Sequence, residues 1–169
     1  TRPIGEFLAI LDAAGIRRLV DVRTAPGSRR HPQFGRDALP ASLESRSIEY
    51  VWRKELGGFR TPRADSPHVA LRNDAFRGYA DHMETEEFRS ALSWLIDTSR
   101  DTPTVIMCAE SLWWRCHRRM ISDALTVAGC DVVHLLDQGR REPHRLNPSV
   151  RVEGSRLIYD VGAQQALAP

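Results

Sequence analysis

Apolar positions along the chain follow two rhythms. In "IGEFLAILDAAGI", Ile4, Phe7, Leu8 and Leu11 recur at helical spacing, and Gly15 stands where a helix closes. "RRLVDV" (Arg17 to Val22) is a short run with an apolar middle and predicts a strand. Arg23 to Pro40 holds Pro26, Gly27, Pro32, Gly35 and Pro40 and reads mostly as loop, with a short helix over "ALPASLESR". "IEYVW" (Ile48 to Trp52) predicts a second strand, and an irregular stretch runs from Glu55 to about Leu71. Loops of that length are uncommon in compact domains unless they bind something.

The second half repeats the alternation. "DAFRGYADHME" and "TEEFRSALSWLIDTS" predict helices, the latter with Phe88, Leu92, Leu95 and Ile96 on its apolar face. Thr85 is placed to cap it, and Glu86 and Glu87 put negative charge in the first turn, where the helix dipole favours it. "PTVIMC" (Pro103 to Cys108) reads as a buried strand. "SLWWRCHRRMISDALTVAG" reads as a helix closed by Gly129, and "DVVHLL" as the next strand. "VRVEGSRLIYDV" predicts a hairpin around Glu153-Gly154. Helices alternating with apolar strands indicate an α/β fold: a three-layer αβα arrangement with a mainly parallel sheet and a short C-terminal hairpin. Its 169 residues fit a single domain. In such sheets ligands bind beyond the carboxyl ends of strands, so the loops after Val22 and after Met107 become the places to look.

Composition narrows the classes. The apolar fraction is 41%, and no apolar run approaches the roughly 18 residues that suggest a membrane span. Three cysteines, Cys108, Cys116 and Cys130, are too few for a disulfide scaffold, so a reduced, cytoplasmic protein is the expectation. The net charge is only +2, yet Arg17 to Arg77 carries a net +6 and Gly78 to Asp137 a net −5. All basic residues but Lys54 are arginine, whose planar fork suits phosphate, sulfate or carboxylate.

The loop after Met107 is the richer in chemistry. Cys108 stands at a strand end, with Glu110 and Ser111 leading into the expected helix, whose N-terminus favours a thiolate. His117 shares a helical stripe with Ile121, Leu125 and Ala128, which aims it at the sheet as a general acid or base, or as an ordinary core histidine. Arg115 and Arg118 add positive charge, and Cys116, at another angle, reads as a packing cysteine. C-x7-C-H is not the spacing of a zinc knuckle, and His134 and His144 could add a ligand only through folding, so no metal and no cofactor are assigned. In the first loop Asp21 and Arg23 flank a strand end, and Arg29, Arg30, His31 and Arg36 follow as a candidate anion cradle. Arg23 is the one expected to enter the cleft. "LGGFR" is a third wall, where Gly57 and Gly58 permit close backbone approach and Arg60 follows. There is no G-x-G-x-x-G, P-loop or G-x-S-x-G.

Taken in order, "LVDVRTAPGSRRHPQF", "LGGFR", "FRGYADHM", "MCAESLWWRCHRRMI" and "VVHLL" resemble the DUF488 family of bacterial and archaeal proteins, from near the start of the chain to about His144. The family's signature positions map to Asp21, Arg23, Ser28, Arg29, Pro32, Phe34, Gly57, Gly58, Arg60, Tyr79, Cys108, Glu110, Cys116, His117 and Arg118. The resemblance also implies an opening strand with a "TIGHS"-like motif ahead of Thr1. A strand followed by "DVR", with a cysteine at a later strand end, is distantly similar to rhodanese domains. Their anion loop is C-x5-R, whereas Arg115 here gives C-x6-R.

Together these features predict a cysteine-dependent transferase or hydrolase. Cys108 is its nucleophile or substrate-holding thiol, and Glu110 and His117 handle protons. A small anionic substrate is held by Asp21, Arg23, Ser28, Arg29, Gly57, Gly58, Arg60, Tyr79 and Arg118. The alternatives are a nucleotide- or nucleic-acid-binding module, with Phe34, Tyr50 and Trp52 among the arginines, a Cys/His metal-binding protein, or a scaffold using Trp113 and Trp114 as a contact patch. The sequence leaves the oligomeric state open.

Overall fold

In the computed structural model, which describes residues 2–27, 29–136 and 139–163, the helical and strand rhythms become alternating elements. Helix α1 (Ile4–Ala13) buries Leu8 and Leu11 and ends before Gly15, whose φ of 69° is the left-handed closing conformation. Strand β1 (Arg18–Asp21) follows, then α2 (Leu39–Glu44) and β2 (Glu49–Trp52). Helix α3 (Asp74–Met83) is capped by Asn73, whose side chain accepts the N–H groups of Ala75 and Phe76 at 2.9 and 3.3 Å. Helix α4 (Glu86–Asp101) is capped as expected by Thr85, which accepts the Phe88 N–H at 3.2 Å. Strand β3 (Thr104–Met107) and helix α5 (Arg118–Val127) come next, and Gly129 closes α5 with a φ of 85°.

β1 lies between β2 and β3, parallel to both, with Leu19 opposite Tyr50 and Val105. Side chains alternate along a strand, and two apolar clusters result. Leu19 and Met107 pack with Leu8 and Leu11 of α1 and Leu39 and Leu43 of α2. Val20 and Val22 pack with Tyr79 of α3, Phe88 and Leu95 of α4, and Met120 and Ile121 of α5. Two antiparallel pairs complete the chain: β4 (Val133–Leu135) with β5 (Arg141–Pro143), and β6 (Val150–Glu153) with β7 (Arg156–Tyr159). The second is the expected hairpin, and Gly154, at φ 61°, is the first residue of its two-residue loop.

Two elements differ from the sequence reading. "DVVHLL" does not extend the parallel sheet. Its core pairs with β5 instead, because the chain doubles back at once, with the Leu136 N–H donating to the Arg140 carbonyl at 2.8 Å. The helix expected from Ser111 begins only at Arg118. A 3-10 turn (Trp113–Arg115) and an extended Cys116, at φ −126° and ψ 155°, precede it, and Ser111 caps nothing. No helix among the described residues is long and apolar enough to cross a membrane.

Candidate functional site

The late start of α5 builds the site. Beyond β3 the chain turns tightly, and the Glu110 N–H donates to the Cys108 sulfur at 3.2 Å. The Arg118 guanidinium donates to the Glu110 carbonyl and ties this turn to the first turn of α5. Cys116 directs its sulfur at the same place: it accepts the Arg118 N–H at 3.5 Å and lies 3.5 Å from His117 Nδ1. Cys116 is 3% exposed, while Cys108 is partly exposed. The Cys108 and Cys116 sulfurs and His117 Nδ1 lie within 4.8 Å of one another, a donor set that can hold a thiophilic cation.

His117 is fixed from three sides. Its Nε2 lies 3.0 Å from the Val22 carbonyl, which can only accept, so Nε2 carries the proton and Nδ1 keeps its lone pair toward the sulfurs. Its ring packs on Tyr79, centroids 5.0 Å apart, and the Tyr79 hydroxyl donates to the Leu56 carbonyl at 2.8 Å. On another side stands Gly58, where a Cβ would come within 3.1 Å of His117 Nδ1.

The neighbouring Cys108 thiol and the Arg118 charge pull Cys116 below the ordinary thiol range against the cost of burial.

The remaining sequence candidates are placed as follows. Glu110 contributes backbone to the cysteine turn, and the residue itself is exposed. Arg23 lines the cavity described below, but its guanidinium turns back onto the fully buried Asp21 at 2.8 and 2.5 Å. The Tyr50 hydroxyl donates to the same carboxylate at 2.8 Å, which with burial holds the phenol well above its usual range. Gly57 leaves no room for a side chain, since a Cβ would stand 2.6 Å from Thr24 Oγ1. The Thr24 hydroxyl donates to the Gly58 carbonyl at 2.8 Å, joining the two loops. Arg60 donates to the Gly57 carbonyl at 3.3 Å, Arg29 is exposed, and Ser28 lies outside the described residues.

A cavity of about 1240 Å³ runs along the outer edge of β3, is walled by Val133–Leu136 on one side, and reaches Cys108, Cys116, His117 and Gly58. Its volume exceeds the ~300–1,000 Å³ of ordinary ligand sites. Val105, Ile106, Leu135 and Leu136 give it an apolar lining along β3 and β4, and Glu110 and Ser111 a polar one by the cysteines. Arg115, Arg118 and Phe59 stand there too.

Sequence reasoning passed over two features. Phe59 is 92% exposed at a φ of 59°, a conformation that costs a bulky residue energy and here holds an aromatic ring out at the cavity's edge. The signal was an apolar residue directly after paired glycines. The second is a chain of hydrogen bonds behind the cavity wall. Asp123 accepts from Tyr159 (2.9 Å) and pairs with His144 (2.9 Å), and His144 lies 2.9 Å from His134. His134 lines the cavity and stacks on Trp113 at 3.8 Å. Burial and the neighbouring His144 lower His134 to about 4. The available signal was Asp123 itself, an acid on the apolar stripe of α5.

Comparison with curated proteins and with solved structures gives no match. A family model described as "Domain of unknown function DUF488" matches residues 3–125. That span takes in β1, the Gly57-Gly58 wall, α3, β3, the cysteine turn and nearly all of α5, so both cysteines, His117 and their supports fall inside the match, and the chain belongs to the DUF488 family.

Proposed function

We propose that the protein is a small-molecule enzyme, a cysteine-dependent transferase or hydrolase that binds an anionic substrate at the polar end of the cavity. The observation that carries this reading is the meeting of the Cys108 and Cys116 sulfurs with His117 Nδ1 at a cavity wall that also holds Arg115 and Arg118. Cys108, the more accessible sulfur, bonds to the electrophilic centre of the substrate. Its proton passes to His117 Nδ1 and from there to the leaving group, and water or an acceptor then releases the second product. Cys116 packs beside His117 Nδ1, and Arg118 and Arg115 balance the substrate's charge. Arg23 acts on the substrate only through the loop it shapes, since Asp21 occupies its guanidinium. The two apolar clusters support a three-layer αβα reading of a single domain. Cysteines kept as thiols suit a reducing, cytoplasmic setting.

The nucleic-acid alternative loses ground. In the basic half, Arg18, Arg46, Arg63 and Arg77 pair with Glu49, Asp12, Glu84 and Asp74, and Arg36 covers the ring of Trp52 at 4.3 Å. Alkylation of the metal-free, reduced protein over a pH series, with each cysteine mapped by mass spectrometry, tests the proposal. Cys108 should label faster than Cys130, and His117→Gln should slow Cys108 at neutral pH. Labelling of Cys108 no faster than Cys130 would overturn the nucleophile.

A further inference from the structure

We infer that Cys108, Cys116 and His117 form a mononuclear site for a thiophilic divalent cation of the zinc class, with one coordination position open to the cavity. The inference rests on the reading above for the importance of this centre, and it goes further in naming what occupies it.

The first ground is spacing. With metal–sulfur bonds of ~2.3 Å and metal–nitrogen bonds of ~2.0–2.1 Å, sulfur and nitrogen at two corners of a tetrahedron lie roughly 3.6 Å apart. Cys116 Sγ and His117 Nδ1 stand at 3.5 Å. The Cys108 sulfur is within 4.8 Å of both, and two sulfurs on one ion need roughly 3.8 Å, a closure of at most ~1 Å that side-chain rotation supplies. The second ground is the support around the donors. A ligating imidazole holds its other N–H on a carboxylate or a backbone carbonyl, which fixes the tautomer and aims the lone pair. His117 has this arrangement through Val22. Both sulfurs accept backbone N–H groups, from Glu110 and from Arg118, which spread the charge of a thiolate ligand. The third ground is room: Gly58 lacks the Cβ that would crowd Nδ1 at 3.1 Å.

Two thiolates and one neutral imidazole neutralise a divalent cation, and soft sulfur donors select zinc-class ions over magnesium or calcium. Three protein ligands leave the fourth position of a tetrahedral ion for water or an anion. In the loaded protein both sulfurs are ligands, and the anionic substrate of the cavity meets the ion. In the metal-free protein Cys108 is a reactive thiol.

The test uses Co²⁺ as the probe, added to reduced protein stripped with a chelator. One equivalent should give the intense visible bands of tetrahedral cobalt together with sulfur-to-cobalt charge transfer in the near ultraviolet. Cys108→Ser removes a ligand, so it should weaken binding by more than the roughly 10–100-fold that loss of a supporting outer-shell group costs, and remove part of the charge-transfer intensity. Cys130→Ser should change neither. Cys108 is partly exposed at a strand end, so its variant is read first; Cys116→Ser is used once circular dichroism shows it folded. A pale octahedral spectrum, or a folded Cys108→Ser protein that binds as the parent does, overturns the metal site. Alkylation separates the two readings. No cobalt site with selective Cys108 labelling removes the metal and keeps the thiol enzyme. A cobalt site with metal-free Cys108 labelled no faster than Cys130 keeps the metal and removes the nucleophile.

Discussion

The Asp21–Arg23 pair decides whether the arginine after β1 belongs to the fold or to the ligand. The Asp21 carboxylate is 0% exposed and accepts four hydrogen bonds: from the Arg23 backbone N–H (3.1 Å), Nε (2.8 Å) and Nη2 (2.5 Å), and from the Tyr50 hydroxyl (2.8 Å). Arg23 is itself buried, and its carbonyl accepts the Trp52 indole N–H at 2.8 Å. Asp21→Asn keeps the shape and removes the charge. The Asn NH₂ must stand at one of the two oxygen positions, where it faces either the Arg23 backbone N–H and Nε or Arg23 Nη2 and the Tyr50 hydroxyl, so two donors lose their acceptor and the buried cation loses its counter-charge. Breaking a buried pair from one side costs about 3–5 kcal/mol. For a chain of this length that lowers Tm by roughly 6–20 °C.

The double variant Asp21→Asn with Arg23→Met supplies the control, since it removes the cation along with its partner. Pairs replaced on both sides by groups of similar shape are often close to neutral. Urea denaturation of the parent, the two single variants and the double variant should therefore give a coupling energy above about 2 kcal/mol. A single variant that loses under about 1 kcal/mol, or a double variant that merely sums the singles, refutes the reasoning. Arg23 would then be free to swing into the cavity, as the sequence alone suggests.

Three further outcomes are expected. Gly58→Ala should leave Tm within roughly 4 °C of the parent, because Gly58 is not at positive φ and the new Cβ meets His117 at a tight but yielding 3.1 Å. It should weaken Co²⁺ binding at the same time, and unchanged binding would show that Nδ1 is not a donor. Tyr159→Phe withdraws one donor from the buried Asp123 and should cost about 1–3 kcal/mol by urea denaturation, whereas a neutral effect would mean that the 2.9 Å bond is not formed. His134 is held at about 4, below the ~6.5 of a free histidine, so between these values the unfolded chain binds more protons. Its contribution is fully present above about pH 6.5 and is lost as pH falls toward 4. The Tm difference between the parent and His134→Gln should shrink over that window, and a constant difference would contradict the assignment.

Periodicity and capping chemistry were legible in the sequence because they are local. Gly15, Gly129 and Thr85 do what their neighbours require of them, and the β1, β2 and β3 runs are recognisable by their apolar middles. What failed is non-local. An apolar run announces a strand but not its neighbour: "DVVHLL" reads as the next strand of a mainly parallel fold, and Val133–Leu135 pairs antiparallel with β5. "SLWWRCH" has helical spacing, yet Trp113 stacks on His134, far along the chain, and its segment forms a 3-10 turn instead of the start of a helix. The Asp21–Arg23 pair was within reach: residues two apart on an extended chain share a face, and an acid and an arginine placed so can bond each other before any ligand.

The consequence for Cys116 follows from that same helix start. On a helix running from Ser111, its side chain would be set by helical angle alone and would pack beside Met120. With the helix beginning at Arg118, Cys116 is extended, and its sulfur falls where the first N–H of α5 and the turn after β3 converge. Two strands fix that point. The Val22 N–H donates to the Met107 carbonyl at 2.9 Å, and the Val22 carbonyl in turn accepts His117. The end of β1 therefore sets both the register of β3, which carries Cys108, and the orientation of the imidazole. A shift of β3 by one residue would turn Cys108 to the opposite face of the sheet and separate it from Cys116 and His117. C-x7-C-H is therefore a spacing of the fold rather than of the chain: seven residues are what it takes to leave a parallel strand, reverse, and enter the returning helix beside the strand's own end.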